Sequence, residues 1–511
     1  MVSKRLISFQ TSRFCVLPLL LLFSFCYAAS QDLASFEKNL TVHVLDNGWT
    51  FIILERPVAP VFSFATQVDV GSAQEVPGIT GLAHMFEHMA FKGTPNIGTS
   101  DYEAEKAALL ELEAAYEAYQ NEKSRLNPDP DEVERLLAVF KDKQTAARKF
   151  VVNGDFHEII DREGGVGVNA GTSSDYTRYF YSLPANKLEL FCFLESERFL
   201  HPVFREFYEE RDVVQEERRF RVESNAFGRL FEQLKFVAIS AHPYRHPLGG
   251  YMSDLQSFTI EDARVFFHKH YVPSNIVTAV VGDVQAGELI PLLEKYFGRI
   301  PAGDKPPPVR TEEPRQIAEK RLVLREKAQP VYVEAYHMTA ATHSDQPVFD
   351  VIDDILSSGR TSRLYRKLVR DQRSAVQVGS YSNYPGAKYP GLWLVLAIPA
   401  RGVANETIAD EIRLEIERIK TELVSDEDLT KAKTRARANL IRSLGSNQGL
   451  ANQLVAYQTL YGDWRELFRQ LNSLEKVSKE DVRRVAEKTF TDSNRTVATI
   501  VTESEGGGAD E

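Results

Sequence analysis

His84 and His88 stand four residues apart in the apolar-periodic stretch Gly81–Phe91, with Glu87 between them. On a helix, side chains at i and i+4 rise one above the other, so two imidazoles can present nitrogens to one metal ion. Glu87, three residues after His84, lies beside them, placed to take a proton from a water at that ion. The order H-x-x-E-H reverses the commoner H-E-x-x-H zinc signature. A hydrolytic zinc site uses three protein ligands and keeps one position open, so the third ligand must come from elsewhere. The acidic helix read over 205–224 is the evident supplier. Its Glu210 and Glu217 are seven residues apart, two turns along one face. One would bind the metal and the other would orient a ligand from behind. Taken alone, the same residues also describe two ordinary histidines and a solvated, ion-paired helix.

The elements that must hold these groups follow from periodicity. Thr41–Leu45 and Trp49–Leu54 flank Asp46-Asn47-Gly48 as a hairpin, and Val61–Val70 reads as a further strand. The segment 100–149 is long, charged and helical. It opens on a capping box, Ser100 with Glu103, and is broken at Asn127-Pro128-Asp129-Pro130 into an antiparallel helical hairpin. Strands are expected at 167–172 and 178–183, then helices near 185–199, 205–225, 227–240 and 260–270. A buried strand at 276–284 and a helix at 286–297 follow. Five prolines between Ile300 and Arg315 mark a linker. Beyond it a similar order returns: strand 331–338, helices 346–357 and 361–371, strands 376–382 and 391–398, and long helices at 405–423 and 426–445. This is a repeat of about 220 residues in element order rather than residue identity.

Composition sets outer limits. With 511 residues, 43% of them apolar and 26% charged, the chain is neither generally disordered nor a disulfide framework. Residues 1–30 read as a signal peptide: Lys4, Arg5 and Arg13 precede the apolar run Val16–Phe25, and Ala28-Ala29-Ser30 offers small residues for cleavage. The mature chain is therefore expected to be exported, periplasmic or secreted, with no transmembrane span. Net charge is −11, and without the leader 58 basic residues face 72 acidic ones, or −14. Such a surface argues against nucleic acid as a partner. Cys192 alone remains after the leader, within the apolar run Leu188–Leu194, and reads as a packed core thiol.

Several motifs recur together. Gly81-Leu82-Ala83-His84-Met85-Phe86-Glu87-His88-Met89 runs on to Phe91-Lys92-Gly93-Thr94. Val168-Asn169-Ala170-Gly171-Thr172 with Tyr176-Thr177-Arg178-Tyr179 follows, then Glu210–Glu217, then His242-Pro243-Tyr244. In these the chain resembles peptidase family M16, the insulinase/pitrilysin inverzincins, in its short processing-peptidase-like form, over about residues 40–500. The resemblance implies an α+β fold of two homologous domains, each a mostly antiparallel sheet packed with helices, together half of a clam-shaped chamber. The corresponding division is 31–299 as catalytic domain with the helical insertion at about 100–155, a linker at 300–318, a second domain at 319–503, and a disordered tail at 504–511.

It further implies one Zn²⁺ per chain held by His84, His88 and Glu217, with Glu87 as general base and Glu210 supporting; Glu216 stays open as the alternative to Glu217. Asn169 and Ala170 match an edge strand that pairs with substrate backbone. Arg370 matches an Arg of the second half that approaches the substrate carbonyl, but Gln377 stands where a Tyr is expected. The implied activity is a zinc metalloendopeptidase acting on short or unfolded peptides, as a homodimer or with a subunit lacking H-x-x-E-H; the Gln377 departure favours the heterodimer. The alternative is a non-catalytic structural or peptide-binding subunit. His88 and Glu217 are 129 residues apart, where the family usually has seventy-odd, so the hairpin reads as an insertion over the motif helix.

Overall fold

A computed structural model describes residues 33–503. The leader read at 1–30 and the tail read at 504–511 lie outside the described residues. The first half contains β1 (Leu40–Val44), β2 (Thr50–Glu55), β3 (Val61–Val68), β4 (Val166–Thr172), β5 (Thr177–Pro184) and β6 (Ile276–Gly282), in a sheet ordered β1-β2-β6-β3-β5-β4. The second contains β7 (Lys320–Glu326), β8 (Val331–His337), β9 (Ala375–Tyr384), β10 (Leu392–Pro399) and β11 (Arg495–Thr502), ordered β7-β11-β8-β10-β9. Each sheet has one parallel pair, β2 with β6 and β7 with β11, and is otherwise antiparallel. Apart from edge strand β1, the two orders coincide strand for strand, giving the expected two-domain α+β architecture.

Helices α1 (Leu33–Asn39), α2 (Leu82–Met89), α3 (Tyr102–Lys123), α4 (Pro130–Arg148), α5 (Asp155–Arg162) and α6 (Leu188–Leu200) belong to the first half. So do α7 (Phe207–Arg218), α8 (Ala226–Ala238), α9 (Met252–Leu255), α10 (Ile260–His270) and α11 (Ala286–Phe297). The second half has α12 (Gln346–Ser357), α13 (Asn405–Thr421), α14 (Asp426–Ser443), α15 (Asn447–Tyr461), α16 (Glu466–Glu475) and α17 (Lys479–Thr489). The 361–371 segment is a π-helical turn at Tyr365–Asp371 rather than a full α-helix. Strands β7 and β11 and helices α15 to α17 complete the second half beyond the elements expected from periodicity.

One face of the first sheet packs Phe51, Ile53 and Phe64 against Met85, Phe191 and Phe267. The opposite face is covered from the other half: Ile52, Leu54, Ala65 and Val281 meet Leu450, Leu454 and Trp464. The second sheet is treated reciprocally, with Val333, Leu394 and Ile500 packed on Leu230 and Leu234 of α8. Each fully buried large apolar side chain contributes about 1.5–3 kcal/mol relative to exposure, so the exchanged helices bind the halves strongly. A polar clasp adds direction. Asp175 accepts from Tyr244 Oη at 2.5 Å and from the amides of Ala387 and Lys388 at 2.6 and 3.1 Å. Lys388 Nζ reaches Asp69 at 2.6 Å, and the Tyr389 amide donates to Tyr244 Oη. The His242-Pro243-Tyr244 motif therefore joins the halves.

The helical hairpin α3–α4 corrects one expectation. Asp101, not Ser100, caps α3 by accepting from the Ala104 amide, while Ser100 Oγ donates to the Phe150 carbonyl. The hairpin packs on α7. Its aromatic stripe finds a matching surface there: Tyr116 lies 4.2 Å and Phe140 5.2 Å, ring to ring, from Tyr208. Tyr208 Oη donates to Glu113, and Arg211 donates to Tyr116 Oη. Beneath them the fully buried Arg205 makes a two-pronged pair with Glu105 at 2.5 and 2.7 Å. Its remaining donors go to the carbonyls of Lys92, Thr94 and Ile97. The insertion thus anchors the loop that follows the motif helix.

Candidate metal centre

Helix α2 begins behind Gly81, whose φ of +98° favours glycine. Its amphipathic pattern buries Leu82, Ala83, Met85, Phe86 and Met89, leaving His84, Glu87 and His88 on the remaining face. Opposite, α7 delivers Glu217: its Oε2 lies 3.7 Å from His84 Nε2 and 3.2 Å from His88 Nε2. Ligand atoms of these three residues all lie within 4.8 Å of one another, the one such group among the described residues. Glu216 turns outward, 70% exposed, and pairs with Arg219. The 100° step between neighbours on a helix thus separates the two candidate glutamates.

Glu210 stands one step behind. Its Oε2 lies 3.3 Å from His88 Nδ1, and its Oε1 lies 2.5 Å from Lys92 Nζ, which also reaches Glu206 at 3.0 Å. The Glu210 bond holds the His88 imidazole above its ordinary pKa, against burial. Burial works to raise the Glu210 carboxyl, but the His88 and Lys92 bonds prevail and leave it low. His84 behaves oppositely: burial, then the neighbouring His88, hold it below its ordinary value. Its Nδ1 is buried without a partner. Glu87 is half-buried one position before His88. The donor set suits zinc: two imidazoles and a carboxylate, partly exposed, leave one tetrahedral position free.

The other anticipated residues divide. Asn169 and Ala170 lie on β4, the sheet's edge strand, which runs beside α2; Thr172 Oγ1 donates to the Ala83 carbonyl at 3.4 Å. Asn169 Oδ1 accepts from the Ala170 amide. Arg370 is exposed on the π-helical turn and paired with Asp371; Gln377, on β9, is likewise exposed. The second half reaches the centre through Tyr384 instead, at the far end of the same strand, β9. Tyr384 helps line a cavity of about 200 Å³ that also touches His84 and Glu217. A second cavity, about 230 Å³, adjoins His88 and Glu210 and is walled by the hairpin base around Asn153–His157.

Sequence reasoning missed Tyr384 and also Glu75. The latter is 2% exposed and accepts from the amides of Gly81 and Ala83, at 2.8 Å each. No capping rule finds a residue seven positions before a helix starts.

The family model "Insulinase (Peptidase family M16)" matches residues 50–148, and "Peptidase M16 inactive domain" matches 257–436. The chain belongs to peptidase family M16. His84, Glu87 and His88 fall inside the first match, whereas Glu210 and Glu217 fall between the two, beyond the hairpin. Zinc protease PqqE of Helicobacter pylori is 28% identical over 435 residues, 84% of each chain. A zinc protease of Bacillus subtilis, YmxG, otherwise uncharacterized, is 23% identical over 457 residues, 88% of this chain and 95% of its own. A crystal structure of a protease from Helicobacter pylori matches with a TM-score of 0.75 at 26% identity, over 90% of this chain and 99% of that one. The periplasmic protease PqqL from Escherichia coli shares the fold, with a TM-score of 0.66 at 16% identity, over 91% of this chain and 48% of its own. The M16 relatives are thus named as zinc proteases, and no helix among the described residues is long and apolar enough to cross a membrane.

Proposed function

We propose that the chain is a zinc-dependent endopeptidase of short or unfolded peptides, with one zinc held by His84 Nε2, His88 Nε2 and the Glu217 carboxylate. The observation that carries this reading is the convergence of those three donors within 4.8 Å, with Glu87 on the same helix. A bound zinc supplies Lewis acidity, acidifying water and polarising a peptide carbonyl. Glu87 takes a proton from the attacking water and returns it to the leaving amine. Glu210 keeps His88 in the orientation that turns Nε2 inward. Edge strand β4 offers its free backbone groups, around Asn169 and Ala170, to an extended peptide, which selects unfolded substrates over folded ones.

Arg370 and Gln377, both exposed, are available to a second subunit. The chain therefore works as a dimer with another M16 chain, a copy of itself or one lacking H-x-x-E-H. The leader read at 1–30 directs it out of the cytoplasm, to the periplasm or beyond.

The test is cleavage of a mixed set of quenched peptides by the purified mature chain, with and without a zinc chelator, beside the Glu87→Gln variant. Chelator-sensitive cleavage by the parent and zinc-loaded silence from Glu87→Gln are expected. A folded parent chain that takes up no zinc would move the assignment to a non-catalytic subunit.

A further inference from the structure

The two histidines of the centre are held in different ways. His88 has a side-chain partner, Glu210, on the nitrogen that faces away from the cluster. His84 has none: its Nδ1 is buried and unpartnered, and a Cβ placed on Gly249 would lie 4.0 Å from it. With no protein hydrogen bond on that nitrogen, the edge-on His88 ring at 4.8 Å, Glu217 on the far side and the backbone that carries it fix the position of His84. That backbone is clamped immediately upstream. Glu75 Oε2 accepts from the Gly81 amide and Oε1 from the Ala83 amide, both at 2.8 Å, so one planar carboxylate spans two donors of the first turn. The preceding turn is tied down separately. Asp254 Oδ2 accepts from the amides of Gly78 and Thr80 and from Thr80 Oγ1, at 3.0, 3.2 and 2.6 Å.

Glu75 is an expensive residue to place here. It is 2% exposed, and burial pushes its pKa up to about 8 against the pull of the Gly81 and Ala83 amides; the ammonium of Lys235, which also favours the charged form, donates to the His246 carbonyl at 2.8 Å. Burying a carboxylate whose bonds go to backbone amides costs several kcal/mol before those bonds are counted. A Ser, Thr or Asn at the usual cap position would satisfy an amide at lower cost. What a Glu side chain adds is two acceptors in one rigid plane, fixing the Gly81 and Ala83 amides relative to each other and so the direction in which the next residue, His84, leaves the helix.

We propose that Glu75 is the positioning residue for His84, the counterpart through the backbone of what Glu210 does for His88 through the ring. This rests on the zinc reading of the centre. Gln is isosteric with Glu but has one acceptor, so in Glu75→Gln its amide group faces one of the two N–H donors and the clamp opens.

The experiment compares the parent, Glu75→Gln and a core variant remote from the centre, Leu356→Ala, each loaded with Zn²⁺ or with Co²⁺ as a spectroscopic reporter. Leu356 is fully buried in the second half, so its truncation supplies a loss of stability without touching α2. Expected for Glu75→Gln is a fall of about tenfold or more in zinc affinity by chelator competition, within the range for groups that orient ligands, and an altered Co²⁺ visible spectrum. Leu356→Ala should lower the urea midpoint yet keep both metal readouts. If Glu75→Gln does not fold, Glu75→Asp, which keeps two oxygens but not their reach, is read in the same way. Parent-like affinity and spectrum in the folded Glu75 variant overturn the proposal. So does the same spectral change in Leu356→Ala, which would make the effect one of general stability. A parent chain that binds neither metal removes the zinc reading, and this proposal with it, whereas metal binding by the parent with unaltered Glu75 variants defeats the proposal alone.

Discussion

The two halves use one strand order twice, and the helix that follows the matching strand makes the sharpest contrast between them. In the first half α2 follows β3 and carries His84, Glu87 and His88. In the second, α12 follows β8 and carries Asp350, Asp353 and Asp354 at the same spacing. There the opposing helix, α14, brings Arg435 to within 3.4 Å of Asp354, where α7 brings Glu217 to the histidines. Asp353 is fully engaged, accepting from Ser380, Ser382 and Trp393 at 2.6, 2.5 and 2.7 Å. Burial pushes Asp354 up to about 6. The scaffold therefore presents three side chains at i, i+3 and i+4 in both places. Donor atoms of three metal-ligating side chains, those of His84, His88 and Glu217, converge within 4.8 Å only in the first half, among the described residues. In the second half Ser380, Ser382 and Trp393 occupy Asp353, Gln346 donates to Asp350 and Arg435 faces Asp354, and no such cluster forms among the described residues.

Breaking each version should give the largest difference. His88→Ala or Glu217→Ala is expected to abolish zinc uptake, measured as metal per chain after dialysis, and peptide turnover with it. Asp354→Ala should leave zinc content at the parent value. Zinc loss in the second-half variant, or its retention in either first-half one, would remove the distinction.

The hairpin gives the next largest effect, because the second half has no equivalent. Its presence shows in the repeat distance: β3 starts at Val61 and β8 at Val331, 270 residues on, whereas β6 starts at Ile276 and β11 at Arg495, 219 on. The difference is about the length of α3 and α4. Glu105→Gln removes the carboxylate from a fully buried, two-pronged arginine pair and should cost about 3–5 kcal/mol in urea unfolding. A change below about 1 kcal/mol would indicate that the Lys92, Thr94 and Ile97 carbonyls suffice for Arg205.

Weaker again is Glu210→Gln. The imidazole of His88 keeps a neighbour but loses a charged one, so zinc affinity should fall about 10–100-fold with the fold intact. Chelator competition reads this directly, and an unchanged affinity would leave Glu210 serving Lys92 alone.

Much of this was legible in the chain itself, and the exceptions have physical reasons. The repeat, the first sheet, three strands of the second and the pairing of His84 with His88 follow from periodicities of 2.0 and 3.6, which are local, whereas β7 and β11 went unread. The choice of Glu217 over Glu216 was not, since one step along a helix is visible only once α7 is docked. The hairpin's helices were evident from spacing. Its docking on α7 depended on Tyr116 and Phe140 meeting Tyr208 across 92 and 68 residues of chain. Glu75 and Tyr384 were invisible for the same reason: each acts through a contact that the fold creates, one on a helix start seven positions away and the other across the boundary between halves.

That boundary supplies the smallest expected effect, one on pH dependence. His242 is 3% exposed, and its Nδ1 accepts the Tyr244 amide at 3.1 Å, a bond only the neutral ring can make. Burial lowers its pKa to about 4, against an ordinary value of 6.5. Between those values the unfolded chain binds a proton that the folded chain refuses. Its contribution to stability is therefore fully present above pH 6.5 and is lost as pH falls towards 4. Allowing for partial solvation, the loss is ~2 kcal/mol. Burial also lowers His246, His270 and His337, so the acid limb is shared. His242→Asn keeps an oxygen that can accept the Tyr244 amide but does not titrate. Its urea midpoint should fall less steeply than the parent's between pH 7 and 4.5. Parallel curves would locate the acid sensitivity in the other histidines and leave the clasp between the halves indifferent to pH.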